Sequence, residues 1–311
     1  MKMKTALPLF YFKPTICWVD DDRLFLDAAS LSFGEHYHCN TFNSPSEAIK
    51  YFNEYRAPLS VISFKREFSE SDLFGSANHH PVDIDMTAIA ELANNAACHD
   101  EIAVLIVDYH MAEMNGVDLC ERLKNFNGKK ILLTGEATHE KAIEAFNKGI
   151  IDKFIRKGHN IAETLQQYVK ELVYQYFCER TAALVEHLEA SRRSVLSDKS
   201  FIEFFNKWCS ENNIEEYYLL NKQGAFLVKD KAGAISHFVL HSENDNREFA
   251  KLNDELTGEA AQLTADVASG KLIPFFGIHK EYWEVEETNW SPYFYPTQTF
   301  SGREQYFWAV V

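Results

Sequence analysis

The apolar run Ile102-Ala103-Val104-Leu105-Ile106-Val107 ends in a carboxylate, Asp108, and this junction constrains the chain most. Such a run reads as a strand buried on both faces. Asp108 then opens onto a loop, Tyr109 to Gly116, that closes with Asn115-Gly116. Two other apolar runs end in charge. Ile16-Cys17-Trp18-Val19 ends in Asp20-Asp21-Asp22, and Phe154-Ile155 leads through Arg156 to Lys157. Strand and helix patterns alternate from 16 to 160. Strands are predicted at Ile16–Val19, Tyr37–Phe42, Ala103–Val107, Lys130–Thr134 and Lys153–Ile155. Helices are predicted at Arg23–Phe33, from Ser44 to about Tyr55, near Val117–Asn125 and near Lys141–Lys148. Ser44 with Glu47 has capping-box spacing, and Pro45 suits the first helical turn. The pattern predicts an α/β fold, a doubly wound parallel five-stranded sheet covered by helices. Ligands of such sheets bind at the strands' carboxyl ends, where the acids and the lysine would converge.

The chain has 311 residues, which suits two domains. Its net charge of −15 argues against a general binder of nucleic acid or anionic membrane. The cysteines, Cys17, Cys39, Cys98, Cys120, Cys178 and Cys209, form no C-x-x-C pair. That speaks against a zinc site or a disulfide framework and for a reducing cytoplasm. Lys2 and Lys4 precede a short apolar stretch that lacks a small-residue cleavage site, so a signal peptide is not expected. No run of about eighteen apolar residues is present to span a membrane.

An insertion, about 57–100, interrupts the alternation. Val61–Phe64 could be a strand and Met86–Asn95 a helix, with a polar stretch from Glu67 to His80. Asp83 and Asp85 read as solvated or capping residues, and His79-His80 lacks a third metal ligand nearby. Residues 161–197 read as one long connector helix, roughly 36 residues and about 54 Å. Leu184, Leu188 and Val195 fit a coiled-coil seam loosely, so this helix either dimerises or only connects. Residues 198–311 read as a second, α+β domain. Glu216–Leu220, Ala225–Lys229 and Ile235–Leu240 form a meander across two turns, and a helical stretch from Asn246 to Ala268 could break at Thr257-Gly258. Residues 305–311 look like a closing strand. Glu284, Glu286 and Glu287 look like a polar strand face, and the tail aromatics like core.

Several acids in one crevice repel unless a cation joins them, and carboxylates with backbone or water ligands suit magnesium. Asp108 could attack a phosphoryl group as a carboxylate nucleophile. Lys157 offers an ammonium and Thr134 a hydroxyl to the same group, and Gly135 leaves it room.

On these motifs, residues 15 to about 160 resemble the receiver domain of two-component response regulators. The matching parts are Asp20-Asp21; Val107-Asp108 with Met111, Met114 and Asn115-Gly116; Leu133-Thr134-Gly135-Glu136-Ala137; and Phe154-Ile155-Arg156-Lys157. The resemblance implies a receiver over 1–160, phosphorylated on Asp108 by a sensor histidine kinase or phosphotransfer protein. It implies that Asp21, Asp108 and the backbone carbonyl of His110 bind Mg2+, with Asp20 holding a metal-bound water. Thr134 and Lys157 would bind the phosphoryl group, and Phe154 would be the aromatic switch residue or plain core. His110 and Glu136 either tune phosphate lifetime or are rim residues. Gly158 departs from the proline usual after the lysine, and the insertion is absent from ordinary receivers.

From residue 198 on, ten Lys/Arg stand against eighteen Asp/Glu, and no paired helices suit a helix-turn-helix. DNA binding is therefore not favoured. The combination is similar to the quorum-sensing response regulators of the Legionella type. That similarity implies an α+β output domain that resembles nucleotide-binding folds. Two readings stand: a regulator whose output domain binds a protein partner or itself as a homodimer on phosphorylation, or one whose output domain is an enzyme or nucleotide sensor.

Overall fold

The computed structural model describes residues 6–60, 65–66, 83–135, 139–158, 161–191, 195–277 and 282–311. In chain order its elements are β1 Phe10–Tyr11, β2 Thr15–Val19, α1 Arg23–Phe33, β3 His38–Phe42, α2 Pro45–Glu54, β4 Lys65–Arg66, β5 Asp83–Ile84, α3 Met86–Glu91, β6 Ile102–Asp108, α4 Gly116–Arg122, β7 Lys129–Thr134, α5 His139–Asn147, β8 Lys153–Arg156 and α6 Ile161–Ser191. There follow α7 Lys199–Glu211, β9 Ile214–Leu219, β10 Phe226–Asp230, β11 Ile235–Ser242, α8 Glu243–Leu252, α9 Gly258–Ala268, β12 Leu272–Pro274, β13 Phe294–Pro296, β14 Gln298–Ser301 and β15 Gln305–Val310. The residues group into two compact units. One holds 12–62 and 96–180, the other 1–11, 63–95 and 181–311.

The first unit contains the expected five-stranded sheet, in the order β3-β2-β6-β7-β8 with every neighbouring pair parallel. β2, β6 and β7 are buried along their whole length, as their central apolar runs lead one to expect, with Lys129 and Lys130 buried at the start of β7. Side chains of opposite pleat must both be apolar when helices cover both faces. The helices start where their caps predict. Asp22 accepts from the amides of Leu24 and Phe25 and so caps the start of α1. Ser44 accepts from the Glu47 amide at 3.2 Å, while the Glu47 carboxylate reaches the Asn43 amide at 3.4 Å.

The second unit centres on a six-stranded antiparallel sheet, β1-β9-β10-β11-β15-β14. Helix α7 covers one face with Phe201, Phe205 and Trp208. Phe205 stacks on Phe226 at 4.6 Å between centroids, and Trp208 meets Phe238 at 4.9 Å. Each such ring, once buried, contributes about 1.5–3 kcal/mol. The stretch 246–268 is two helices, α8 and α9, divided at Gly258 (φ 66).

Four expectations need correction. Residues 6–11 do not lie with the receiver: Phe10 and Tyr11 pair with Tyr218 and Tyr217 at the edge of the second sheet. The described middle of the insertion also belongs to the second unit. There α3 and the turn Leu92–Asn94 pack on β9, and the Lys229 ammonium donates to the Ala93 carbonyl. The long helix is described from Ile161 to Ser191, and Val195–Ser197 form a 3-10 turn before Asp198 caps α7, so the α-helix does not run through to residue 197. Leu184 and Leu188 are already 8% and 5% exposed, so they offer no free dimer seam. Glu284 and Glu287 lie in short 3-10 turns rather than on a strand face. Val61–Phe64, His79 and His80 lie outside the described residues. Asp85 proves to be the cap of α3, accepting from the Ala88 amide at 3.1 Å.

Candidate functional site

The carboxyl ends of β2, β6, β7 and β8 bring the expected residues together. Carboxylate oxygens of Asp20, Asp21 and Asp108 all lie within 4.8 Å of one another. Asp20 and Asp108 are buried, and Asp21 is on the exposed rim. Lys157 bridges two of the acids, with its ammonium 2.8 Å from Asp20 Oδ2 and 2.9 Å from Asp108 Oδ1. The same ammonium lies 4.7 Å from the Phe25 ring centroid.

The polar partners divide the acids' roles. Asp20 Oδ1 accepts from the Asp22 amide at 2.9 Å, and Asp108 Oδ2 from the His110 amide at 3.0 Å. Asp21 Oδ2 accepts from the Ala112 amide at 3.0 Å. Burial raises the Asp20 pKa, the Lys157 bond and the Asp22 amide oppose it, and the Asp108 charge adds to the rise. For Lys157, burial lowers the pKa, but the hydrogen bonds and charges of Asp20 and Asp108 prevail and raise it. The lysine is thus held as an ammonium.

Thr134 ends β7 with its side chain fully covered, and among the described residues its hydroxyl has no hydrogen-bond partner. A buried hydroxyl left open costs on the order of 1–3 kcal/mol and calls for an explanation. A Cβ at the neighbouring Gly135 would meet open space. His110 contributes its backbone to the loop, and its ring is exposed beside Tyr109, 4.9 Å between centroids. Phe154 is half-buried against α5, 5.4 Å from the His139 ring and 6.2 Å from Phe146. Glu136 lies outside the described residues, among which no peptide bond is cis, Lys157-Gly158 included.

Gly116 explains the Asn-Gly close. Its amide donates to the Tyr109 carbonyl at 2.9 Å, and a Cβ there would lie 2.3 Å from the Asp108 carbonyl oxygen. The obstacle is backbone, so the loop would have to move. Gly116→Ala is expected to lower stability by about 1–3 kcal/mol. Urea denaturation checks this, and an unchanged midpoint would refute the packing argument.

Sequence reasoning missed two ties of this loop. One is the Ala112 amide on Asp21. The other is Glu113, whose carboxylate accepts from both the amide and the hydroxyl of Ser46. Neither had a signal, because a backbone donor is independent of residue type and Ser46 is far away in sequence.

Sheet order, the acid cluster and the strand-end lysine define a response regulator receiver, and a model of the response regulator receiver domain matches residues 76–170. That match starts inside the insertion, which separates Asp20 and Asp21 from the other motifs. The structure of the Legionella pneumophila response regulator LqsR matches with 30% identity and a TM-score of 0.74, covering 99% of this chain and 89% of that one. The chain therefore belongs to the response regulators of the LqsR family. A receiver domain protein from Clostridium thermocellum matches at 18% identity and TM-score 0.35, covering 52% of this chain and 95% of that one. A CheY-like receiver from Methanospirillum hungatei matches at 20% identity and TM-score 0.34, covering 54% and 98%. Comparison with curated proteins gave no match. Among the described residues, no helix is long and apolar enough to cross a membrane.

Proposed function

We propose that Asp108 is the phosphoacceptor of this response regulator and that a sensor histidine kinase or phosphotransfer protein supplies the phosphoryl group. One observation carries the reading. Three carboxylates lie within 4.8 Å beside a lysine that bridges two of them, and on the next strand the buried Thr134 hydroxyl has no partner among the described residues.

The donor set suits magnesium, a hard cation that takes oxygen ligands. Asp20, Asp21, Asp108 and the His110 carbonyl would hold it, Asp20 through a water. Bound there, magnesium supplies charge neutralisation for in-line phosphoryl transfer. The Asp108 carboxylate oxygen forms the new bond to phosphorus as the bond to the donor's imidazole nitrogen breaks. Lys157, already charged, pairs with the transferred group, and the Thr134 hydroxyl donates to one of its oxygens. That bond draws the start of α5 inward and makes room for Phe154 to follow. The exposed His110 ring, beside Tyr109, would affect how long the phosphoryl group survives.

The protein should take label from acetyl phosphate only with magnesium present, and a chelator should reduce labelling to background. Labelling unaffected by chelation would overturn the cation's role.

Phosphorylation is expected to increase homodimerisation. Because Leu184 and Leu188 are buried, the receiver's exposed Ile143 and Phe146 on α5 are better candidates for the contact. Sedimentation that is unchanged on phosphorylation would remove this claim. Family membership also supports a role in quorum sensing, and the scattered cysteines, with no C-x-x-C pair, a cytoplasmic site.

For the output domain we favour a protein-binding role, with itself or another chain. A cavity of about 670 Å³ favours a second reading, a ligand or nucleotide sensor. Phe204, Trp208, Ile235, Trp308 and Val310 supply its apolar lining. A thermal-shift screen of the full chain against nucleotides tests that alternative. The full chain is needed because β1 completes the sheet.

A further inference from the structure

We infer that Glu113 is a positioning residue for the divalent cation, acting through the loop that carries the His110 carbonyl. The inference rests on the magnesium reading above. Backbone bonds tie the loop at its ends: the Tyr109 amide donates to the Leu133 carbonyl at 2.9 Å, and the Gly116 amide to the Tyr109 carbonyl at 2.9 Å. Its middle reaches two other elements. Ala112 donates to Asp21 Oδ2 at 3.0 Å. Glu113 Oε2 accepts from the Ser46 amide at 3.1 Å and the Ser46 hydroxyl at 2.5 Å.

Ser46 is the second residue of α2, where helical amides have no partner within the helix. Ser44 takes the Glu47 amide, and Glu113 takes the Ser46 amide from across the fold. A carboxylate at a helix N-terminus is also favoured by the helix dipole. The loop's middle is thereby fastened to α2.

Glu113 is not among the carboxylates that lie within 4.8 Å of one another, so it acts by placing other groups. Magnesium demands near-ideal octahedral geometry at short distances, and small ligand shifts weaken it. Ala112 adjoins Glu113, and His110 is three residues before it. Releasing Glu113 lets that stretch drift, taking with it the His110 carbonyl and the amide that orients Asp21. Both Ser46 and Glu113 are exposed, so the tie adds little to folding stability. Its effect appears in cation affinity.

The test is calorimetric titration of the full-length protein with magnesium alone, followed by acetyl-phosphate labelling rates across magnesium concentrations. Glu113→Ala is expected to weaken magnesium binding by about tenfold, the low end of what losing a group that orients metal ligands costs, because the tie is exposed. Its half-saturating magnesium for labelling should rise equally, with the limiting rate retained. Glu113→Gln keeps an acceptor oxygen and should restore affinity to within about twofold of wild type. Wild type that binds no magnesium would sink the cation reading itself. Wild type that binds while Glu113→Ala binds equally well would overturn only this inference. A lower limiting rate with unchanged magnesium affinity would overturn it too.

Discussion

Asp108→Asn is expected to take up no phosphoryl group from acetyl phosphate, with labelling at least about a hundredfold below wild type because the carboxylate nucleophile is gone. The substitution is nearly isosteric, and the site tolerates it structurally. Lys157 keeps its partner Asp20 at 2.8 Å, and the amide oxygen can still accept from His110. Removing one charge from a cluster of three carboxylates also relieves repulsion. The variant should therefore fold as wild type does and fail only in labelling. Phosphate-affinity electrophoresis with parallel thermal melts separates these two readouts. Equal labelling of the two proteins would end the phosphoacceptor assignment.

The largest stability effect is expected at Glu101. Its side chain is fully buried and accepts from the Tyr176 hydroxyl and, at 2.8 Å, from the Leu59 amide. Leu59 lies where the chain leaves the receiver for the insertion, Glu101 where it returns, and Tyr176 on α6. One carboxylate thus fastens both roots of the insertion to a helix. Burial, together with the Glu101 charge and hydrogen bond, pushes the Tyr176 hydroxyl far above its ordinary pKa, so it stays a donor. Glu101→Ala strands two donors and leaves a cavity, and should cost about 3–5 kcal/mol. Tyr176→Phe removes one donor and should cost about 1–3 kcal/mol. A double-mutant cycle in urea should show coupling between the two, and strict additivity would contradict the contact.

Sequence showed the receiver's sheet and site well. The central strands there carry apolar runs, and Asp20, Asp108, Thr134 and Lys157 stand at or within two residues of the ends of such runs. Asp108, Asp20 and Lys157 could be placed together because parallel strands share one carboxyl end. The second unit was less legible for specific reasons. Phe10–Tyr11 is a two-residue strand whose partners, Tyr218 and Tyr217, lie some 200 residues away, and periodicity carries no information about partners. The insertion's allegiance depends on Lys229 reaching Ala93, a contact invisible in either local pattern. The helix from 161 looked longer because no Pro or Gly interrupts it, and the 3-10 turn Val195–Ser197 has the same apolar spacing as an α-helical turn. The Glu113–Ser46 tie links a loop to a helix end and leaves no sequence trace.

The central claim is that this crevice transfers a phosphoryl group to one carboxylate. Its most direct measurement is mass-spectrometric mapping after phosphorylation with magnesium and borohydride reduction, which converts an acyl phosphate to homoserine. The account predicts homoserine at position 108 and intact Asp at positions 20, 21 and 22. Homoserine at another acid, or none anywhere in a folded, magnesium-bound protein, would contradict it.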